Sequence, residues 1–500
     1  MQKIFTSLVL AFSSLAAMAT NYSDVMTVKI NGQIASNATT TISVDKQGDG
    51  SYKLKLADFT LTGGGNSIPV GTINITASGV DKGKYTLLHA KQDIQIENGS
   101  MGEGWIGPSL GAVPVSLLAK QTADKLYAVI SINFQSLDIQ VQFGGGYQIP
   151  NSDFELFTAS NGEPDRWHSF KSASGGYASM VGENNHISVS NLTRPGSTGT
   201  HSVEIKAIEK TYFFFVTVLA NGTLTTGRIN AGATSAKDKK NNSFLDMSKA
   251  DKDANGDPFY TPLVGRPDKL DLWVKFKQGK PNSGHPYATA KAVITDGTYY
   301  QLPEDKTYTN KMAEAITNTI ESKGNEWQHL SIPFNYVNAS VEPKAVLVTI
   351  STNATPGEGS NNDLLYVDDL SFVYDFGVKK ISVKGEELSG FNEATTEYTY
   401  SKVAGITADD IAVETVGHGT IVHKEVTGAK ATIVVASDDL LQNRVYTLNL
   451  TTGIDEVATA PNNNTVVIYD LNGIRVNDMN RRGVYILKDG KGNTRKVVKN

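Results

Sequence analysis

After residue 24 the chain is written mostly in period two. Tyr52-Lys-Leu-Lys-Leu, Thr72-Ile-Asn-Ile-Thr, Asp93-Ile-Gln-Ile-Glu and Leu137-Asp-Ile-Gln-Val-Gln-Phe alternate apolar and polar residues. That rhythm puts every second side chain on one face of an extended strand and predicts half-buried antiparallel strands. Glycine-rich stretches separate them: Gly48-Asp-Gly, Gly63-Gly-Gly, Gly144-Gly-Gly and Gly175-Gly. Glycine reaches positive φ without a Cβ penalty, so these stretches suit the turns of meanders, sandwiches or barrels. One segment has another period. Lys311 to Lys323 places Met312, Ala315, Ile316 and Ile320 at helical spacing and runs into Gly324, the pattern of a helix with a glycine C-cap. The expected class is all-β with that one helix.

Shifts in pattern mark the boundaries. Strand-like sequence fills residues 22–145 and stops at Gly144-Gly145-Gly146. Residues 147–375 form a longer block that carries every tryptophan except Trp105, and a short third block, 376–452, ends with Tyr446-Thr-Leu-Asn-Leu. Pro461-Asn-Asn-Asn reads as a linker opening a tail at 461–500. Five hundred residues are enough for such a series of separate cores.

Residues 1–19 read as a secretory signal: Lys3 gives a positive start, Ile4 to Ala16 an apolar run, and Ala17-Met18-Ala19 a small-x-small cleavage site. The run is shorter than the roughly 20 residues that span a bilayer, so an exported, soluble chain without a transmembrane segment is expected. The absence of cysteine excludes a disulfide framework, thiolate zinc sites, iron–sulfur clusters, a cysteine nucleophile and a lipoprotein anchor. Forty-six basic against 51 acidic residues give no electrostatic reason to expect nucleic-acid binding.

Met26-Thr-Val-Lys-Ile-Asn-Gly, Asp49-Gly-Ser-Tyr-Lys-Leu-Lys-Leu-Ala-Asp-Phe and Ile68-Pro-Val-Gly-Thr-Ile-Asn-Ile resemble the calycin-like, or lipocalin-like, β-barrel domain of secreted Bacteroidetes proteins. A barrel of that size either fills its interior with side chains or holds one small ligand. The second block opens with Pro150-Asn151-Ser152-Asp153-Phe154-Glu155, reaches Pro164-Asp-Arg-Trp167, and closes with Leu365-Tyr-Val-Asp368-Asp369-Leu-Ser-Phe. These brackets resemble the jelly-roll β-sandwich of carbohydrate-binding modules. Between them, Gly265-Arg-Pro267-Asp-Lys-Leu-Asp-Leu-Trp273-Val-Lys-Phe is similar to a strand of a domain type, found in the same secreted proteins, that is named for carbohydrate metabolism.

The resemblance implies a glycan or polysaccharide partner. Sugar recognition needs flat aromatic faces beside hydrogen-bonding groups, and the block supplies Trp167, Trp273, Trp327, Tyr287, Tyr299, Tyr300 and His285. Alternation sends Leu270, Leu272, Val274 and Phe276 to one face and Asp271, Trp273, Lys275 and Lys277 to the other. Trp273 is thus the first platform candidate, with Tyr287, Tyr299 and Tyr300 as further ones. Trp167 and Trp327 are expected in the core. Such jelly rolls commonly carry a structural calcium between first and last strands, for which Glu155, Asp368 and Asp369 offer hard oxygen ligands. Asp251-Lys-Asp253-Ala-Asn255-Gly256-Asp257 begins like a looped calcium site but has Pro262 where the bidentate glutamate would stand.

Val378-Lys-Lys-Ile-Ser-Val-Lys-Gly-Glu and Arg444-Val-Tyr-Thr-Leu-Asn-Leu resemble small immunoglobulin-like spacer modules. The tail, with Val466-Val-Ile-Tyr-Asp-Leu-Asn-Gly-Ile-Arg and Arg482-Gly-Val-Tyr-Ile-Leu, resembles the carboxy-terminal sorting domain of type IX secretion. It holds eight Lys plus Arg against three Asp from Val466 onward, and would be the means of surface anchoring. No nucleophile elbow, zinc-helix, phosphate-loop or dinucleotide signature is present. Glu183, Glu204, Asp296 and Glu326 are only nominal glycosidase carboxylates. The expectation is a non-catalytic, secreted or cell-surface glycan-binding protein. A carrier of a small apolar ligand, a structural adhesin and, less favoured, a glycoside hydrolase remain the alternatives.

Overall fold

The computed structural model describes residues 19–499 except 64, 101, 103, 213–215, 402–404, 452–465 and 490–491. Most of the signal-like segment and the linker at Pro461 lie outside the described residues. The chain divides into two compact units. One runs through Gly377 and includes Thr415–Val422 and Val435–Asn443; the other holds Val378–Glu414, His423–Val434 and the chain from Arg444.

The first unit begins with eight strands: β1 (Thr20–Ile30), β2 (Gln33–Lys46), β3 (Tyr52–Gly63), β4 (Asn66–Asp81), β5 (Thr86–Gln95), β6 (Ala112–Gln121), β7 (Leu126–Phe134) and β8 (Leu137–Phe143). Each pairs with the next, and β8 returns to β1 with Met26 opposite Phe143, so the sheet closes into a barrel. Closure leaves no unpaired sheet edge. The apolar members of the period-two pattern point inward: Met26, Val28, Leu54, Leu56, Ile75, Leu88, Val115, Leu117 and Phe143 belong to one contiguous core. A side chain of this size contributes about 1.5–3 kcal/mol on burial, and together they fill the barrel.

Sixteen further strands follow. They are β9 (Ile187–Ser190), β10 (Ser202–Lys206), β11 (Ile208–Tyr212), β12 (Val216–Ala220), β13 (Thr223–Thr225), β14 (Arg228–Ala231), β15 (Asn241–Leu245) and β16 (Thr261–Pro262). Then come β17 (Lys269–Lys277), β18 (Ala288–Thr295), β19 (Tyr300–Leu302), β20 (Lys311–Ile320), β21 (Gln328–Pro333), β22 (Asn335–Tyr336), β23 (Ala345–Ser351) and β24 (Leu364–Val373). A front sheet has the order β21-β17-β24-β10-β9, and a central sheet the order β13-β23-β18-β20-β22 with β16 beside β23. The short sheet β14-β15-β19 covers the other side of the central one, where Leu245, Tyr300 and Leu302 pack with Val293, Ala345 and Leu347. Burial on both faces explains why β18 and β23 are apolar nearly throughout.

The expected helix at Lys311 to Lys323 is instead strand β20, paired with β18 and β22. Its register shifts opposite Ala288/Ala290 and Ile294/Thr295. Each irregularity breaks strict alternation, so the apolar residues fall at spacings that imitate a helix. The β-branched Ile316, Thr317, Thr319 and Ile320 suit a pleated strand.

The opening bracket of the block is a local brace. Asn151 donates through Nδ2 to the carbonyls of Leu156 and Asp165 and accepts from the Leu156 amide, all at 2.9 Å. Phe154 and Trp167 are fully buried with ring centroids 5.1 Å apart, and the Trp167 indole donates to the Asn151 carbonyl.

Beyond Tyr374, strands Phe376–Val383, Glu386–Glu387 and Ile411–Gly417 make one sheet, and Glu397–Tyr400, Thr420–Thr427, Lys430–Ala436 and Asn443–Leu450 another. The tail strands Val467–Tyr469, Arg475–Val476, Gly483–Lys488 and Thr494–Lys499 form a separate four-stranded sheet.

Candidate functional site

The front sheet turns Leu270, Leu272, Val274 and Phe276 of β17 into the core, each fully buried. Asp271, Trp273, Lys275 and Lys277 consequently stand on its outer, solvent-facing side. Trp273 lies opposite His329 of β21 and Asp368 of β24. Its ring is flanked by the His329 imidazole, centroids 5.0 Å apart, and by the Arg194 guanidinium 5.4 Å from its centroid. Asp271 accepts from the Ser331 hydroxyl at 2.6 Å and lies 3.3 Å from His329 Nε2. Along the same face, Lys275 Nζ sits 5.3 Å from the Tyr366 ring centroid, and Tyr366 lies opposite Glu204 of β10. Burial, then the hydrogen bond to Glu204, pushes the Tyr366 phenol up to about 12. The arrangement is a half-exposed indole and phenol among charged and hydroxyl side chains.

An irregularity in β24 shapes this face. Asp368 opposes Trp273 whereas Ser371 opposes Asp271, so Asp369 and Leu370 together face the single Leu272, one residue is extra, and Asp369 adopts φ 42°, as in a β-bulge. The insertion aims Asp369 at Arg194 Nε, 2.5 Å away, while the Arg194 amide donates to Asp368 Oδ2 at 2.8 Å. Asp368 is fully buried and its Oδ1 has no partner. Burial, with the adjacent Asp369 charge, pushes its carboxyl up to about 6 against the pull of the Arg194 amide.

The seam residues expected to hold calcium are therefore engaged by the protein itself. Both Glu155 oxygens accept from Thr200, and Oε1 also accepts from the His201 amide; Asp368 and Asp369 are held by Arg194. The acidic loop behaves likewise. Asp253 accepts from the Asn255 and Asp257 amides and lies 3.1 Å from buried His168 Nε2. Burial works against its ionisation, but the bonds from His168 and the loop amides prevail and hold it below the usual carboxylate range. Asp257 pairs with Arg166 at 3.1 Å, Asp251 with Arg228 at 2.5 Å, and Asn255 donates to Asp165. Burial raises the Asp257 carboxyl despite Arg166. Among the described residues no group of three or more His, Cys, Asp or Glu side chains forms a metal-binding set. In both donor sets cationic side chains and amides engage most of the carboxylate oxygens, while Asp368 Oδ1 is left without a partner.

The other aromatic candidates do not join Trp273. Tyr300 is fully buried in the layer between β19 and the central sheet and donates to Glu304 at 2.7 Å; it is a core residue, since neighbours along a strand face opposite ways. Tyr299 is the outward member, stacked on Phe244 at 5.7 Å. Tyr287 is exposed just before β18. Trp167 is core, as expected, but Trp327 is half-exposed. Glu204 lies on β10, whereas Glu183, Asp296 and Glu326 lie in separate connecting segments outside the strands. Arg194, His329 and Tyr366 were not legible as site residues. Tyr366 could have been found by continuing the alternation back from Asp368, but His329 and Arg194 meet Trp273 only through pairing of distant segments.

A crevice of about 1410 Å³ lies between barrel and sandwich, with walls that include Gln140, Gln142, Gln148, Asp165, Arg166 and Asn255. Its aromatic side chains are committed elsewhere: Tyr127, Tyr147 and Tyr374 are buried, and Tyr85 and Tyr147 pack on the Lys120 ammonium.

Residues 18–146 match the family of calycin-like β-barrel domains. No curated protein matches the chain. Solved structures similar to it include a carbohydrate-binding module specific for non-crystalline cellulose, at 10% identity, covering 44% of this chain and 92% of that one with a TM-score of 0.21. Another is a carbohydrate-binding module described as promiscuous, at 9% identity, covering 70% and 96% with a TM-score of 0.22. A third is a Bacteroides fragilis protein provisionally assigned to the outer membrane, at 11% identity, covering 67% and 96% with a TM-score of 0.19. Among the described residues no helix is long and apolar enough to cross a membrane.

Proposed function

We propose that this is a non-catalytic glycan-binding protein, exported to the surface of a Bacteroidetes-type cell, and that it captures polysaccharide on the outer face of the front sheet around Trp273. The observation that carries the reading is the position of Trp273: an indole on the solvent side of a rigid sheet, with His329, Arg194, Asp271 and Tyr366 around it. An aromatic face takes the C–H side of a pyranose, and the flanking donors and acceptors take its hydroxyls. In this reading the barrel supports the sandwich, its inward-facing side chains forming one apolar core. The strands from Phe376 to Leu450 serve as an immunoglobulin-like spacer, and the basic tail as a sorting and anchoring element.

The test is a glycan array on the full chain, followed by affinity electrophoresis with each polysaccharide retained. Trp273→Ala is expected to abolish retardation while leaving the melting curve in place, since the indole is not part of the core. Retardation that survives Trp273→Ala, or no binding to any polysaccharide, overturns the proposal.

A further inference from the structure

Three lysines on the proposed glycan face are unmatched by carboxylates. Lys277 of β17 lies opposite Leu364 of β24, and Leu364 lies opposite Lys206 of β10. All three side chains therefore leave the sheet on the outer side, and the two lysines stand two strands apart, about 10 Å. Lys275 is two residues from Lys277 on the same face, about 7 Å away, and Trp273 a further 7 Å along β17. Among the described residues none of these lysines forms an ion pair. Asp271 and Asp369 stand at the Trp273 end of the face, with His329 and Arg194, and Glu204, which accepts from Ser188 and lies opposite Tyr366, is the carboxylate in the row of Lys275. The lysine end of the face, with three ammonium groups around the one carboxylate of Glu204, carries a local excess of positive charge on a protein whose net charge is −5.

We infer that the glycan is an anionic polysaccharide, carrying uronate or sulfate groups, that lies along β17 with a ring on Trp273 and acidic groups on Lys275, Lys277 and Lys206. Ammonium groups are compact point charges with three donors and suit such oxyanions. The spacing of the triad matches roughly two or three sugar residues of an extended chain. The inference rests on the Trp273 reading and goes beyond it by naming the charge class of the ligand.

The experiment uses the full chain at near-physiological salt, with polygalacturonate, carboxyl-reduced polygalacturonate and chondroitin sulfate as probes in titration calorimetry. Either the carboxylated or the sulfated polymer is expected to bind at least tenfold tighter than the reduced one. Affinity is expected to fall with added salt, as screening of exposed charges requires. A Lys206→Gln, Lys275→Gln, Lys277→Gln variant is expected to lose on the order of 10- to 100-fold, the combined effect of three exposed charge contacts, with its melting temperature unchanged. The basic tail is the control: Arg481→Gln with Arg482→Gln is expected to leave affinity unaltered. Equal binding of native and reduced polymer overturns the anionic assignment while leaving the Trp273 proposal standing. A loss that follows the tail variant instead of the triad also overturns it. Binding that ignores both Trp273→Ala and the triad overturns both.

Discussion

Asp368→Asn should stabilise the protein at neutral pH, and the size of the effect can be worked from the structure. Asp368 is fully buried beneath the Arg194 segment, with one carboxylate oxygen accepting the Arg194 amide and the other unpartnered. Burial, with the Asp369 charge beside it, raises its carboxyl from the ordinary value of 3.8 to about 6. In the unfolded chain the same group ionises near the ordinary value. Below that value both states are protonated and the group contributes nothing to pH dependence. As the pH rises toward 6, the unfolded state loses its proton while the folded state keeps it. The unfolded chain is favoured by 1.36 kcal/mol for each unit, to a limit of about 3 kcal/mol above pH 6. The amide of asparagine keeps an acceptor for the Arg194 N–H and never ionises. The assay is urea denaturation of wild type and Asp368→Asn at intervals from pH 3.5 to 7.5, following the sandwich transition through intrinsic tryptophan fluorescence. The difference in unfolding free energy should climb in favour of the variant between about pH 4 and pH 6 and then level off. Other titrating groups cancel in this difference. A flat difference across the range, or one that grows in favour of wild type as the pH rises, would refute the reasoning.

Three further outcomes follow from named contacts. Lys120 is 4% exposed, donates to the Asp438 carbonyl and carboxylate, and packs on the rings of Tyr85 and Tyr147; Lys120→Met should cost about 3–5 kcal/mol by stranding Asp438. Adding Asp438→Asn should recover part of that loss, and strictly additive melting shifts would contradict the pairing. Asn151→Ala should cost about 3 kcal/mol in urea denaturation, near 1 kcal/mol for each of its hydrogen bonds, and more because alanine tolerates the left-handed φ of 50° at this position less well than asparagine. Chelator should leave the melting curve within about 1 °C of its position, since a shift in Tm tracks ligand binding to the folded state; a rise on adding calcium would show that the carboxylates exchange their protein partners for the ion.

The barrel was legible because its strands obey alternation for five or more residues at a stretch, and one inward face suffices to close it. The sandwich was legible only where a strand has one wet face. β17 met that condition, so the outward position of Trp273 followed from Leu270, Leu272, Val274 and Phe276. In β20, register shifts scrambled the period into a helical one. Tyr299 and Tyr300 looked equivalent as an adjacent pair, yet the pleat sends one to solvent and the other into the layer beneath. The acidic loop was correctly readable as a turn, with Asp253 capping two amides. Its electrostatics were not, because Arg166, His168 and Arg228 arrive from segments remote in sequence, and a linear reading sees only the carboxylates.

The same remoteness explains how a cysteine-free sandwich secures its ends. The opening and closing segments looked like halves of a cation staple, because a pattern of oxygen ligands at both termini suggests a shared ion. The ends are joined by hydrogen bonds of strand type. The Gln148 carboxamide accepts the Phe372 amide at 2.8 Å and donates to the Phe372 carbonyl at 2.7 Å, imitating a rung of a sheet. Leu370 in the bulge donates to the Ser152 carbonyl. The bulge that positions Asp369 beside Arg194 is thus also a point of attachment for the opening segment. Buried groups paired in this way each contribute about 1 kcal/mol net, but leaving any of them unpaired costs more. The Trp273 face is consequently pre-formed: Arg194, which flanks the indole, is fixed by Asp368 and Asp369, and these are fixed by the strand that the opening segment clamps. A face held in this manner would lose little conformational freedom on taking up the proposed polysaccharide.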